Sequence, residues 1–165
     1  GVAFGGPIFY GHAAKSFHEK ADHPGNAYWF QAKRANELYQ ALDAKHRKVA
    51  LLDKRSRGER GNKTIQTKGS TKGLEGLPVS ELAGDQKALF QKVLGDLLAP
   101  FRQKDADEAM KLIKANDMNK LHLSYYKIEN IGEDEIWDVW QVEGPKMVWY
   151  FRGKPHVHVW ANIEA

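Results

Sequence analysis

The stretch Lys154-Pro155-His156-Val157-His158-Val159-Trp160 alternates imidazole or indole side chains with valines. An alternation with a period of two is typical of a β-strand, in which successive side chains point to opposite faces of the sheet. The valines suit a packed core, so His156, His158 and Trp160 share the opposite face. The two imidazoles are then roughly 7 Å apart, close enough to take part in a single site. The predicted fold and the candidate site both depend on this strand.

Similar alternation precedes this strand in the last third of the chain. It runs through residues 121–128, 136–142 and 147–152, and short turns connect the last three strands into an antiparallel meander. Upstream, apolar residues at helical spacing predict two long helices and one short helix, over residues 28–54, 78–101 and 105–116. The sequence therefore predicts an α+β fold, in which these helices pack on an antiparallel C-terminal sheet.

Length and composition set bounds on the kind of protein. The chain has 165 residues, of which 42% are apolar, which suits a single α+β domain over residues 1–165. No apolar run reaches the roughly 20 residues that are needed to cross a bilayer. Cysteine is absent, which excludes disulfides, thiolate nucleophiles and cysteine-type zinc sites. The chain opens without the charged and apolar regions of a signal peptide. We therefore expect that a signal peptide has been removed or that the chain is a fragment of a longer protein.

The positive charge is concentrated in one part of the chain. The formal net charge is +4, but residues 45–72 carry ten Lys and Arg against two acids, a local +8 that leaves −4 for the remainder. Residues 55–76 are also rich in Gly, Ser and Thr, which predicts an exposed and partly mobile basic loop. Such a loop can neutralise phosphates or another anion. It lacks the interleaved aromatic residues that stack on bases, so nucleic-acid binding is the less favoured interpretation.

The histidine pair is the strongest candidate for a functional site. Neutral imidazole is the commonest metal ligand in proteins, and a His-x-His pair on a strand can place two nitrogens on a single ion. We predict that His156 and His158 bind a transition metal ion, and that further side chains complete the site. The histidines that are candidates to complete it are His122 on a neighbouring strand and His12, His18 and His23 in the first loop, with Glu19 and Glu143 as candidate carboxylates. With only nitrogen and oxygen ligands present, copper, zinc or iron fits.

A second interpretation of the same residues stays open. His156 and His158 can lie on a half-exposed sheet face with nothing bound, and His122 can be a paired residue of the sheet. The chain is then a non-catalytic interaction domain of a larger protein, with the sheet or the basic loop as its contact surface. A serine hydrolase finds no support, because the sequence lacks a Gly-x-Ser-x-Gly elbow. The sequence leaves open whether the domain catalyses a reaction.

Short segments spread over most of the chain form a recognisable set. They are Phe9-Tyr10-Gly11-His12, residues 38–47, Gly73-Leu74-Glu75-Gly76-Leu77, Tyr125-Tyr126, residues 140–145 and residues 156–160. Together they resemble the uncharacterised family Domain of Unknown Function 3500. Two positions depart from the family pattern, with Pro145-Lys146 where members often have histidines and His46 where they usually have Gln. Members occur largely in bacterial proteins with export signals, so the resemblance implies a periplasmic or secreted location. It implies no particular activity, substrate or partner.

Overall fold

The computed structural model describes residues 2–10, 29–131, 135–154 and 156–165. The strands of the described chain are β1 (Val2–Tyr10), β2 (Leu51–Leu52), β3 (Leu77–Pro78), β4 (His122–Tyr126), β5 (Val139–Gly144), β6 (Met147–Arg152) and β7 (Val157–Glu164). Its α-helices are α1 (Trp29–Ala41), α2 (Ala44–Ala50), α3 (Gly84–Leu98) and α4 (Gln103–Ala115). The predicted α+β fold class is confirmed.

The described strands all belong to one sheet. Six of them follow the order β1-β7-β6-β5-β4-β2, and β3 pairs with β4 outside this path. β5, β6 and β7 form an antiparallel meander, as predicted, and β1 pairs antiparallel with β7. The pair between β2 and β4 is parallel. The sequence did not reveal β2 or β3, because a strand of two residues is too short to show a period.

The helices pack on one face of the sheet. Trp140, Trp149 and Phe151 are fully buried on that face, in one cluster with apolar side chains of α1 and α3. Tyr125 of β4 is also fully buried, and its hydroxyl donates a hydrogen bond to the backbone carbonyl of Ala35 in α1. Large rings therefore pack between the two layers, and the hydroxyl of Tyr125 is paired.

The first predicted helix is divided into two. The sequence predicts a continuous helix over residues 28–54, but α1 ends at Ala41 and α2 begins at Ala44. Asp43 has an extended conformation, and its carboxylate accepts a hydrogen bond from the backbone N–H of His46 at 2.8 Å. This is the N-cap arrangement, which Asp favours because its side chain offers the backbone an alternative to the helical hydrogen bonds. The prediction of an unbroken helix is wrong for this reason.

The other two helices lie close to their predicted places. α3 begins at Gly84 rather than at residue 78, because residues Val79–Glu81 form a 3-10 turn first. α4 spans Gln103–Ala115, within about a turn of the prediction. Within the described parts of the chain, no helix combines the length and the apolar content that spanning a bilayer requires.

The second face of the sheet is covered by residues 55–76, called here the basic segment. Arg57 donates a hydrogen bond to the side chain of Gln141 at 3.0 Å and forms an ion pair with Glu143 at 2.7 Å. Thr64 is fully buried. The composition predicts an exposed loop, and most residues of the segment are exposed. The segment also contacts the sheet, because β5 presents polar side chains there that need partners once they are buried. The mobility of the basic segment stays a prediction.

Three of the tyrosines are shielded from water by this two-sided packing. Burial raises the pKa of the phenols of Tyr125 and Tyr126 far above the ordinary value. Burial also raises the pKa of Tyr150 to about 12, although a hydrogen bond with Ser56 opposes the shift. The folded state therefore favours the neutral phenols, and the stability that this confers is complete below a pH of about 10 and is lost as the pH rises above it.

We expect these phenols to ionise together with alkaline unfolding. In a pH titration followed by the ultraviolet absorbance of phenolate, part of the signal of the six tyrosines should appear only when near-ultraviolet circular dichroism is lost. The variant Tyr150→Phe should reduce the amplitude of this late step. Ionisation of all the tyrosines near a pH of about 10, with the tertiary signal intact, would contradict the packing described above.

Gly76 marks a position at which the fold requires glycine. Its φ is 80°, and a Cβ atom there would lie 2.1 Å from Oγ of Ser124 and 2.3 Å from the backbone oxygen of Leu123. Gly69 has a similar φ of 68°, but a Cβ atom would meet nothing within 4 Å. The two glycines thus share the backbone conformation and differ in the space around them.

We expect Gly76→Ala to lower the free energy of unfolding by about 3 kcal/mol, because left-handed strain and a steric clash add together. Gly69→Ala is the matched control and should cost only about 1 kcal/mol, from the strain alone. Urea unfolding of the two variants measures the difference. Equal losses would show that β3 does not approach β4 as closely as described.

Candidate histidine site

β7 places the predicted histidines at one end of the sheet. His158 is paired with Phe9 of β1 and with Arg152 of β6, and His156 lies just before the strand. Val157 and Val159 are buried on the helix side, whereas the side chain of His158 is 16% exposed on the other face. The alternation that the sequence predicted for this strand is confirmed.

The two imidazoles face each other. The distance between Nε2 of His156 and Nε2 of His158 is 2.7 Å, which is a hydrogen-bond distance. The ring centroids are 4.5 Å apart, and the ring planes make an angle of 60°. The side chains have therefore turned inward from the roughly 7 Å spacing of alternate residues on a strand. Two nitrogens that point to the same place are the minimum that a shared ligand requires.

A carboxylate of the basic segment lies behind His158. The oxygens of Glu59 are 2.9 and 3.0 Å from Nδ1 of His158, and Nε of Arg152 donates a hydrogen bond to the same carboxylate. Burial raises the pKa of Glu59, but the hydrogen bonds from His158 and Arg152 outweigh it, so the pKa lies below its ordinary value. Glu59 is therefore ionised at neutral pH and acts only as an acceptor.

The contacts of His158 restrict its tautomer. An ionised carboxylate accepts a hydrogen from Nδ1, which leaves a lone pair on Nε2. The guanidinium of Arg152, 2.5 Å from Nδ1, can only donate, so it competes with the carboxylate for that nitrogen. We assign the hydrogen on Nδ1 to the bond with Glu59, because the guanidinium of Arg152 has other acceptors in the Glu59 carboxylate and the backbone carbonyl of Lys154. His156 then donates the hydrogen between the two Nε2 atoms. This chain of bonds can transfer a proton, and it also leaves His158 with the tautomer of a metal ligand.

Aromatic rings form one side of the site. The ring of Phe9 is 4.2 Å from that of His158 and 5.6 Å from that of Trp160, and Phe9 is 54% exposed. An apolar ring against an imidazole restricts the rotation of the imidazole and reduces its contact with water. The site is thus apolar toward β1 and charged toward β6.

The structure does not bring His122 to the pair. His122 is on β4, and the strand pairing places it three strands across and four residues along the sheet from His158. These offsets correspond to roughly 14 Å and 13 Å. Glu143 is paired with His122 and forms an ion pair with Arg57, so it lies in that distant row as well.

The other candidate ligands fall in an interval that the structure does not describe. His12, His18, His23 and Glu19 lie outside the described residues. Among the residues that are described, no group of three or more His, Asp or Glu side chains is arranged to hold a metal ion. Glu59 does not supply a third ligand here, because it contacts Nδ1 of His158 rather than the space between the two Nε2 atoms.

Glu59 and Arg152 were not found from the sequence. The position of Arg152 beside His158 can be deduced from the register of the β6–β7 hairpin, by counting residues back from the turn. Glu59 is 99 residues from His158, and no local pattern connects the two positions. Only the packing of the basic segment on the sheet reveals this contact.

Comparison with known proteins places the chain in a family but assigns it no activity. The family model described as "Protein of unknown function (DUF3500)" matches residues 2–161, nearly the whole chain. No curated protein and no solved structure matches the chain. The function must therefore be inferred from the residues of this chain.

Proposed function

The chain belongs to the DUF3500 family of proteins of unknown function, and we propose that this domain binds a transition metal ion through His156 and His158. The observation that carries the proposal is the 2.7 Å separation of the two Nε2 atoms, with Glu59 at Nδ1 of one ring. A carboxylate that holds the outer nitrogen of a ligating histidine is a recurrent feature of metal sites, because it sets the tautomer and the ring orientation.

The spacing of the two rings fits an ion with a small adjustment. Two imidazole nitrogens at about 2.05 Å from a tetrahedral ion are separated by about 3.3 Å. The Nε2 atoms therefore need to move apart by about 0.6 Å, which small side-chain rotations supply. The hydrogen that lies between the two rings must move to Nδ1 of His156, which frees the lone pair on Nε2. Both imidazoles must also be neutral to bind an ion, so metal uptake should be weaker at acidic pH.

Nitrogen ligands favour particular ions. Copper, zinc or iron suits a site of imidazoles with no thiolate, and the general order of affinity places copper above zinc. A bound ion would serve as a Lewis acid or a redox centre, or would be carried as cargo. In each case His156 and His158 hold the ion, Glu59 and Arg152 orient His158, and Phe9 limits access of water on one side.

The predicted additional ligands belong to the interval that begins next to the pair. β1 ends at Tyr10, which is paired with Val157, between the two histidines. His12 is two residues further along the sequence, in the interval that lies outside the described residues. His12, His18 and His23 therefore remain our proposed source of further ligands. A periplasmic or secreted location, which the family resemblance implies, is part of the same proposal.

We expect untagged wild-type protein to bind copper(II) or zinc in a stoichiometric ratio, measured by isothermal titration calorimetry and by elemental analysis after gel filtration. The double variant His156→Ala/His158→Ala should lose this binding, because both nitrogens that converge on the ion are removed. His122→Ala is the matched control, and it should bind as the wild type does because His122 lies far across the sheet. Circular dichroism confirms that each variant is folded.

Two outcomes would overturn the metal proposal. One is a wild-type protein that binds no metal and whose unfolding temperature does not change with a chelator, which would favour a non-catalytic interaction domain of a larger protein. The other is equal loss of binding in His122→Ala and in the double variant. That result would mean that the metal binds to scattered histidines rather than to the pair.

The role of Glu59 gives a second and independent prediction. Glu59→Gln should weaken metal affinity by roughly 10- to 100-fold, because the amide no longer fixes the tautomer of His158 by charge. Glu75→Gln is the matched control in the same basic segment, since Glu75 pairs with Lys54 and not with a histidine. Competition with a chelator of known affinity measures both variants. An unchanged affinity in Glu59→Gln would show that the carboxylate does not support the site.

A further inference from the structure

Two open cavities lie next to each other along the basic segment. The first has a volume of about 600 Å³ and the second about 520 Å³. Ser70 lines both, so they meet there and form one groove, called here the lysine groove. Thr67, which lines the first cavity, donates a hydrogen bond to Glu164 at the far end of β7. Glu164 is six residues from His158, or roughly 20 Å, so the groove is separate from the histidine site.

Basic side chains dominate the lining of the groove. They are Arg57, Lys63, Lys68 and Lys72 in the first cavity, and Lys120 and Lys146 in the second. Glu143 is the carboxylate among the lining residues, and it is only 2% exposed. It forms an ion pair with Arg57 at 2.7 Å, so these two charges compensate each other at the floor of the groove. Nζ of Lys120 is 3.9 Å from a carboxylate oxygen of Asp117, and Nζ of Lys146 donates to the backbone oxygen of Ala165 at 2.7 Å. Together the lysines give the space above a positive electrostatic potential.

The lysines of the basic segment are carried by a backbone that is hydrogen-bonded to the sheet. The backbone N–H of Gly69 donates to the carbonyl of Pro145 at 3.0 Å, in the turn between β5 and β6. The side chain of Asn162 on β7 donates to the carbonyl of Ile65 at 3.1 Å. A flexible basic loop would have to be ordered on binding, at a cost in free energy, whereas charges on an anchored backbone are already in place. This anchoring distinguishes the groove from a solvated linker.

The uncharged lining residues indicate what kind of anion fits. Gln66, Thr67, Ser70 and Thr71 offer amide and hydroxyl groups, which can exchange hydrogen bonds with the hydroxyls of a sugar. No aromatic ring is among the lining residues within the described chain, so the stacking platform that single-stranded nucleic acids use is missing there. Because lysines line both cavities, a ligand that spans them should have more than one anionic group.

We propose that the lysine groove binds an acidic oligosaccharide. Its sulfate or carboxylate groups pair with the lysines of both cavities, and its hydroxyls bond to the amide and hydroxyl side chains between them. Sulfated and uronate sugars share this chemistry, and they differ in the charge and shape of the anionic group.

The first experiment compares four probes on the wild-type protein by isothermal titration calorimetry at low and physiological salt. The probes are a heparin-derived hexasaccharide, a galacturonate hexamer, a thymidine oligonucleotide of similar charge and inorganic phosphate. The proposal expects that at least one acidic sugar binds more tightly than both the oligonucleotide and phosphate, and the stronger of the two sugars identifies the anionic group. It is overturned if neither sugar binds, if the oligonucleotide binds more tightly, or if phosphate alone binds as tightly as the sugars.

The second experiment tests where the sugar binds. The groove variant is Lys63→Gln/Lys68→Gln/Lys72→Gln. It should lose affinity for the sugar by about tenfold or more, because three ion pairs between lysines and the sugar are removed. The control variant of the same net charge is Lys33→Gln/Lys92→Gln/Lys111→Gln, which replaces exposed lysines of the helices. It should change affinity for the sugar by less than about twofold. Equal losses in the two variants would mean that the sugar follows the net charge rather than the groove, and would overturn the proposal. The unfolding temperature of each variant verifies that the exposed substitutions leave the fold intact.

Discussion

The need to pair polar side chains on the second face of the sheet governs the arrangement of this protein. The strands β5 and β6 are buried along almost their whole length, and that face of β5 carries Gln141 and Glu143. A buried carboxylate without a partner costs several kcal/mol, so the chain must supply a cation to this face. Arg57 meets this need, since its guanidinium contacts Gln141, Glu143 and the carbonyl of Thr64. The basic segment is thereby fixed over the sheet.

Both candidate sites follow from that placement. Glu59 is two residues after Arg57, which brings its carboxylate to His158 at one end of β7. Beyond Glu59 the same segment crosses the sheet, and Thr67 contacts Glu164 at the other end of β7. The lysines that follow then lie along a groove rather than on a free loop. One anchored segment thus supplies Glu59 to the candidate histidine site and most of the basic side chains that line the lysine groove.

The local part of the histidine site could be predicted from the sequence, and its surroundings could not. A period of two is a property of the strand itself, so it placed His156 and His158 on one face without any knowledge of the neighbouring strands. His122 shows the limit of that reasoning, because shared faces do not report how many strands separate two residues or at which end of a strand each lies. Glu59 shows a second limit, since a segment without hydrophobic periodicity gives no indication of which surface it covers. The basic segment also resembles an exposed linker in composition, because it contains few large apolar residues.

The sequence by itself determined the α+β fold class, the antiparallel meander and the inward-facing valines of β7, because hydrophobic periods of 2 and 3.6 residues act locally along the chain. Only the tertiary structure decided that Asp43 divides the first helix, that residues 55–76 cover the sheet and that Glu59 contacts His158. These features depend on which polar groups become buried together. That is a property of packing between distant parts of the chain, and no short stretch of residues encodes it.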